Sequence, residues 1–184
     1  MITIDKITEK NFLEAEQLRS ASRYKEAIKI FEKILKQYPN LPPALNSIAL
    51  SYASLENFEK AEIYFKECMK NEPVPLVCVN NFAKLYYNHK KYSLALPLLQ
   101  KSLSQNSQQV QMVEITANCL FDLGMKKETD NFCKEMLKKF PDNKTIKYYY
   151  GKNLLRINKH QEGLDLIKES SGVIEFGEKK FKLN

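Results

Sequence analysis

The chain has 184 residues, of which 43% are hydrophobic and 28% are charged, a composition typical of folded globular proteins that excludes a disordered one. The net charge of +7 comes almost entirely from lysine, and lysines spread along predicted helix faces indicate a solvated surface, so we expect no nucleic-acid binding. No apolar run approaches the roughly 20 residues that span a bilayer, and no secretory signal opens the chain, so we expect a cytoplasmic protein without membrane attachment.

Apolar residues at helical spacing predict a succession of ten helices separated by short turns. Pro39 ends the second helix, and Pro42 and Pro43 suit the first turn of the third, where backbone amides are unpaired in any case. Pro97 lies early in the sixth helix, where we expect it to be tolerated or to cause a slight kink. The predicted helices lie near 11–18, 24–37, 44–55, 58–71, 76–89, 92–105, 110–123, 126–139, 144–157 and 160–171.

The same residue types recur every 34 residues along the chain, without an insertion. A small residue in the first helix of each pair recurs at Ala15, Ala49, Ala83, Ala117 and Gly151. A second small or short residue follows in the other helix, at Ala27, Ala61, Ala95, Thr129 and Gly163. Small side chains allow two helix backbones to approach closely, and a fixed period of this length marks a protein built of stacked repeats.

The second repeat carries the most complete motif, consisting of Leu45, Ile48, Ala49, Tyr52, Ala61, Phe65, Cys68 and Pro73. In residue type and spacing this motif resembles the tetratricopeptide repeat, and the resemblance extends over about residues 8–177. It implies an all-α, right-handed solenoid of about five units and about ten antiparallel helices. The units start near residues 8, 42, 76, 110 and 144, and we predict that the solenoid spans residues 1–172.

The resemblance also implies a concave groove lined by the first helix of each unit. The family's groove positions carry over to Asn46, Asn80, Lys84, Tyr87, Glu114, Asn118, Phe121, Tyr148, Lys152 and Arg156. Further positions of the same rows include Phe12, Glu16, Arg19, Pro43, Leu50 and Val77.

Two chemical features stand out among these groove positions. Asn46 and Asn80 are equivalent residues one repeat apart, and amide side chains both donate and accept hydrogen bonds, so a row of them can pair with an extended peptide backbone. An alternative interpretation is that they are ordinary polar surface residues. Lys84, Lys152 and Arg156 favour an acidic ligand.

Some family members hold a terminal carboxylate in a clamp of lysine, asparagine and arginine, but Phe12 and Glu16 occupy two of its places here, which argues against that clamp.

The last twelve residues, 173–184, depart from the repeat. Their β-favouring residues and central Gly177 predict a short hairpin or an extended cap on the end of the solenoid, with a frayed terminus as the alternative.

No pattern in the chain indicates catalysis. There is no glycine-rich phosphate loop, no nucleophile elbow and no zinc-protease motif, and the two histidines lie far apart. The cysteines at 68, 78, 119 and 133 form no metal-binding pair, and we interpret them as small buried residues in a reducing compartment. The sequence therefore predicts no catalytic residues, no metal and no cofactor.

The resulting prediction is a non-catalytic module that binds an extended or helical peptide segment of a partner protein in its groove. One alternative is an accessory domain of a larger enzyme system, of the oxygenase or sulfotransferase type. Another is a self-assembling scaffold, so that the chain is either a monomer or a weak end-to-end homodimer.

Overall fold

The computed structural model describes residues 5–171, and within that range it contains ten α-helices and no strand. They are α1 (Lys6–Ser20), α2 (Tyr24–Gln37), α3 (Pro42–Ser54), α4 (Phe58–Cys68), α5 (Leu76–Asn88), α6 (Tyr92–Gln105), α7 (Val110–Asp122), α8 (Lys126–Lys139), α9 (Lys144–Arg156) and α10 (His160–Ser171). The predicted all-α class, a helical-repeat solenoid with two helices in each repeat, is confirmed. The predicted hairpin or cap over 173–184 lies outside the described residues.

The described chain divides after Asn106 into two compact units. In the first unit, α1 to α6 pack in chain order, and α3 also contacts both α1 and α5. In the second unit, α7 to α10 pack in chain order, and α7 also contacts α9. In each unit the first helices of successive pairs are therefore neighbours.

Side chains at the helix starts explain where several helices begin. Both the Ile7 and Thr8 backbone N–H groups donate to Asp5 Oδ1 at 2.9 Å, which caps α1 five residues earlier than the sequence pattern indicates. The backbone and side chain of Thr8 and the hydroxyl of Tyr38 all donate to this carboxylate, and these bonds lower the pKa of Asp5 to about 2. α3 begins at Pro42. Proline has no backbone N–H, so it leaves no unpaired donor in the first turn of the helix.

The small residues of the repeat lie at the centre of the packing. All ten recurring positions are buried. In the first unit, Ala15 and Ala27 pack with Phe31, Ile34 and Ile48 in one apolar cluster. Larger side chains thus fill the space beside contacts that only small ones permit, as the periodicity predicts.

The turn inside each helix pair has one residue in the left-handed region, and these residues also recur every 34 positions. They are Ser22 (φ 60°), Glu56 (57°), Lys90 (56°), Gly124 (71°) and Asn158 (63°). A left-handed residue after a helix reverses the chain direction within a few residues. The repeat is therefore encoded in backbone conformation as well as in side-chain size.

α4 is shorter than predicted, whereas α6 has the predicted bounds. α4 ends at Cys68, three residues before the predicted end, because the Asn71 side chain donates from Nδ2 to the Cys68 carbonyl oxygen at 3.1 Å and closes the helix there. α6 runs continuously from Tyr92 to Gln105 through Pro97, so this proline is tolerated inside the helix.

The expectation that all cysteines are free thiols is wrong for two of them. All four are fully buried, as expected, but Cys68 and Cys78 form a disulfide. The loop after α4 turns the chain so that α5 starts beside the end of α4, and the two Cα atoms lie 6.4 Å apart, within the range that a disulfide requires. A spacing of ten residues carries no such signal in the sequence, because only the path of the loop brings the two together.

No helix in the described residues is long and apolar enough to cross a membrane.

Candidate functional site

The first unit has a groove formed by its three first helices, α1, α3 and α5, and its volume is about 610 Å³. Its apolar lining includes Phe12, Pro43, Leu50 and Val77. Its polar lining includes Glu16, Arg19, Asn46, Ser47 and Asn81. Helix–helix contacts between α1 and α3 and between α3 and α5 hold these side chains on one surface.

The groove amide pair, which we define as Asn46 and Asn81, joins α3 to α5 in the lining of this groove. Asn81 Nδ2 donates to Asn46 Oδ1 at 2.9 Å. Within residues 5–171, neither Asn46 Nδ2 nor Asn81 Oδ1 has a hydrogen-bond partner. The pair is therefore held in place by its own bond while it retains one donor and one acceptor for a ligand.

An ionic network borders the same groove on α1. The Arg19 guanidinium donates to Glu16 Oε2 at 2.6 Å, and the Ser47 hydroxyl donates to Glu16 Oε1 at 2.5 Å. Glu16 is thus used to connect α1 with α3 and is fixed in orientation. Glu16 stands at one of the two positions where the family's terminal-carboxylate clamp would need a different residue.

Asn46 bonds to Asn81 and not to Asn80, although Asn80 is its equivalent in the next repeat. Asn80 Oδ1 accepts a hydrogen bond from the Ser102 hydroxyl of α6 at 2.5 Å, within its own repeat. Residues at equivalent positions of the repeat point in the same direction on α3 and on α5. The surfaces of α3 and α5 that touch point towards each other, so a contact between these helices joins positions that are not equivalent. For this reason Asn46 meets Asn81, one position beyond its equivalent.

The two other predicted groove residues of the first unit lie further along α5. The Lys84 side chain is half-buried, and it has no acidic partner within 4 Å in the described range. The ring of Tyr87 lies 5.9 Å from that of Tyr92 in α6. Within the described helices, Lys84 is therefore an unpaired positive charge on α5, whereas Tyr87 packs against α6 within the third repeat.

In the second unit, two cations of α9 lie against an aromatic ring of α7. The Arg156 guanidinium carbon is 3.4 Å from the centroid of the Phe121 ring, and Lys152 Nζ is 4.6 Å from the same centroid. Lys152 Nζ is also 5.0 Å from the Tyr148 ring and 5.9 Å from the Tyr149 ring. These contacts link four of the predicted site residues, and we call Phe121, Tyr148, Lys152 and Arg156 the aromatic–cation cluster.

The remaining two predicted residues lie earlier on α7. Glu114 Oε1 accepts a hydrogen bond from Asn143 Nδ2 at 2.8 Å, next to the start of α9. Asn143 also caps α9, because its Oδ1 accepts from the Ile146 N–H at 2.9 Å. Asn118 is buried within α7. Glu114 therefore positions a helix start, and its carboxylate is engaged.

The sequence pattern did not identify Asn81 or Tyr149. Asn81 follows the predicted Asn80 directly, and Tyr149 follows the predicted Tyr148, so both lie one position around the helix from the family's groove rows. The sequence shows two adjacent asparagines and two adjacent tyrosines at these places. Only the contacts between helices decide which residue of each pair lies in the site. Within the described residues, no group of three side chains is placed to hold a metal ion.

Comparison with known proteins gives two family matches and several structural ones. The tetratricopeptide repeat is matched over residues 12–41 and over residues 42–75. No curated protein matches the sequence significantly.

Solved structures share the fold at low sequence identity. MamA AMB-1 is 18% identical over 94% of this chain and 95% of that chain, with a TM-score of 0.79. MamA from Desulfovibrio magneticus RS-1, starting at its residue 41, is 13% identical over 93% and 97%, with a TM-score of 0.81. YrrB, a TPR protein described as having an unusual peptide-binding site, is 17% identical over 88% and 84%, with a TM-score of 0.77.

Proposed function

Because this chain belongs to the tetratricopeptide repeat family, we propose that it is a non-catalytic protein-interaction module that holds an extended peptide segment of a partner in the groove of its first unit. Proteins of this repeat class act as interaction modules, and the similar YrrB has a peptide-binding site. We propose the peptide as the ligand here because the groove is open, largely apolar and bordered by fixed polar groups.

The groove amide pair is the observation that carries this proposal. A peptide backbone offers one N–H and one C=O at each residue. Asn81 Oδ1 can accept from the N–H, and Asn46 Nδ2 can donate to the C=O. Their mutual hydrogen bond fixes both side chains before a ligand arrives, which lowers the entropy lost on binding. Phe12, Leu50 and Val77 provide apolar surface on which the ligand's side chains can pack.

Photo-crosslinking in the native cell tests where the partner binds. A photoreactive phenylalanine analogue is placed at Val77, which is 53% exposed in the groove, or at Ile63 on α4, which is 58% exposed and does not line the groove. We expect a discrete crosslinked partner from position 77 only. No product at position 77, or the same products at both positions, would contradict groove binding.

The partner recovered in this way allows a direct test of the amide pair. The double substitution Asn46→Ala/Asn81→Ala removes the free donor and acceptor, and we expect about tenfold weaker binding by calorimetry, equivalent to about 1.4 kcal/mol. Asn46→Ala/Asn80→Ala is a less specific variant, because Asn80 also accepts the bond from Ser102. Unchanged affinity in the folded Asn46→Ala/Asn81→Ala variant would remove the backbone-pairing mechanism.

A cytoplasmic location remains a proposal from the sequence. The Cys68–Cys78 bond is the observation that weighs against it, because structural disulfides are rare in reducing compartments.

A further inference from the structure

The cations of the aromatic–cation cluster are held in place from several sides. Besides stacking on Phe121, the Arg156 guanidinium donates from Nη1 to the Phe121 backbone oxygen at 2.6 Å. Three aromatic rings lie within 6 Å of Lys152 Nζ. A guanidinium has five N–H donors, so Arg156 retains most of its donors after this bond. The cluster therefore presents oriented donors whose positions are set by packing.

Other arginines of the described chain have an acidic partner, but these two cations do not. Arg19 is paired with Glu16 and Arg23 with Glu26, each at 2.6 Å. In contrast, neither Lys152 nor Arg156 has a carboxylate within 4 Å in the described part of the chain. A third cation is close by, because Lys126 Nζ donates to the Arg156 backbone oxygen at 3.3 Å.

We propose that Lys152 and Arg156 form a subsite for a side-chain carboxylate of an acidic partner segment. Charge complementarity supports this ligand, since Lys152 and Arg156 lie against one ring and neither has a carboxylate within 4 Å in the described residues. Arginine suits the role because its planar donors match the two oxygens of a carboxylate. This inference rests on the proposed interaction function for its class of ligand, but it concerns only the second unit.

The geometry favours a carboxylate over a nucleic acid. Single-stranded nucleic acids bind mainly by stacking bases on open aromatic faces. Here Phe121 is only 3% exposed, so its ring is not available for a base. The accessible groups are the N–H donors of the two cations, which suit a compact anion, and the Tyr148 ring, which is 40% exposed. Binding of an oligonucleotide in preference to an acidic peptide would therefore contradict the inference.

A peptide titration followed by NMR tests the subsite on the full chain. The probe is an octapeptide of alternating glutamate and serine, and its control has glutamine in place of glutamate. We expect the glutamate peptide to shift the ring signals of Tyr148 and Phe121, to bind at least about tenfold more tightly than the glutamine peptide, and to weaken as sodium chloride is raised. Equal binding of the two peptides would overturn the proposal, and so would preferential binding of a single-stranded oligothymidine in competition.

Substitutions on α9 locate the effect. Lys152→Gln and Arg156→Gln should each weaken binding of the glutamate peptide about tenfold. Arg156→Lys should weaken it less, because the positive charge is retained although the planar donors are lost. Lys147→Gln is the matched control: it removes the same charge from the same helix, but Lys147 is already paired with Glu169 at 2.6 Å. If Lys147→Gln lowers the affinity for the glutamate peptide as much as Lys152→Gln does, binding depends only on net charge and the subsite is overturned. If Arg156→Gln fails to fold, Arg156→Lys and Lys152→Gln decide the outcome.

The two proposals fail in different experiments. Retained glutamate-peptide binding with no crosslink at position 77 contradicts only the first-unit groove. A crosslink at position 77 with no preference for the glutamate peptide contradicts only the subsite.

Discussion

At the scale of single residues, the two free cysteines of the second unit have an environment that suppresses their reactivity. Cys119 and Cys133 are fully buried, and burial raises the pKa of both thiols to about 12. Only a thiolate reacts rapidly with alkylating agents, so both residues should be inert in the folded protein.

Alkylation with iodoacetamide at pH 8, read by mass spectrometry, measures this property and the disulfide together. We expect no label on the native protein, two labels after unfolding in denaturant, and four labels after unfolding with a reductant. Label on Cys68 and Cys78 in denaturant without a reductant would show that the disulfide is absent. Native labelling of Cys119 or Cys133 would contradict their burial.

The same pKa shift makes stability depend on alkaline pH. An unfolded thiol ionises near pH 8.5, whereas the folded thiols hold their protons up to about pH 12. The folded state therefore binds more protons above pH 8.5, so the contribution to stability is full below that pH and declines as the pH rises towards 12. Cys119→Ala and Cys133→Ala should each reduce this alkaline decline.

At the scale of the element, the turn inside each helix pair requires one residue with a positive φ, and the residue type at that position differs between repeats. Gly124 and Asn158 tolerate the left-handed region, whereas Ser22, Glu56 and Lys90 adopt it at a steric cost. The repeat thus contains three places where one substitution should stabilise a turn.

Glu56→Gly should raise the free energy of unfolding by about 0.5–1 kcal/mol, because glycine adopts a positive φ without strain but loses more chain entropy on folding. Gly124→Ala should lower it by about 1 kcal/mol, and since an added Cβ would meet no atom within 4 Å, that loss isolates the backbone cost. Asn158→Gly serves as the control and should change stability least. Urea unfolding measures all three, and a stability loss in Glu56→Gly would contradict this explanation of the turn.

At the scale of the whole molecule, the last repeat packs most closely, through two glycines that replace the usual alanines. A Cβ on Gly163 would lie 2.8 Å from the Gly151 backbone oxygen, and a Cβ on Gly151 would lie 2.7 Å from the Gly163 backbone oxygen. Backbone atoms cannot rotate away as a side chain can, so α9 and α10 must separate to admit even one methyl group.

Gly163→Ala should therefore destabilise α9 and α10 by about 1–3 kcal/mol, although alanine is the better helix former. In a repeat protein, stability is approximately a sum of repeat terms and nearest-neighbour terms, so the damage should remain local. Hydrogen exchange should accelerate across residues 144–171 and stay unchanged across 6–105. Equal acceleration over the whole chain would show that the chain unfolds as one cooperative body.

Much of the fold could be predicted from the sequence because it depends on local, periodic properties. Helix spacing, the buried small residues and proline at the start of α3 all follow from contacts within one repeat or between successive helices. The groove in the first unit required more information, since Asn81 and Asn80 are neighbours with the same side chain. Only the packing of α3 against α5 selects the one that meets Asn46.

The sequence by itself determined the all-α class, the two-helix repeat and the positions that must be small, since these follow from a 34-residue period and the size of side chains. Tertiary structure decided the Cys68–Cys78 bond, the groove amide pair and the stacking of Lys152 and Arg156 on Phe121. The physical reason is that each of these depends on the distance and direction between two different helices. A repeat period specifies which residues are equivalent, and only the packed helices specify which residues touch.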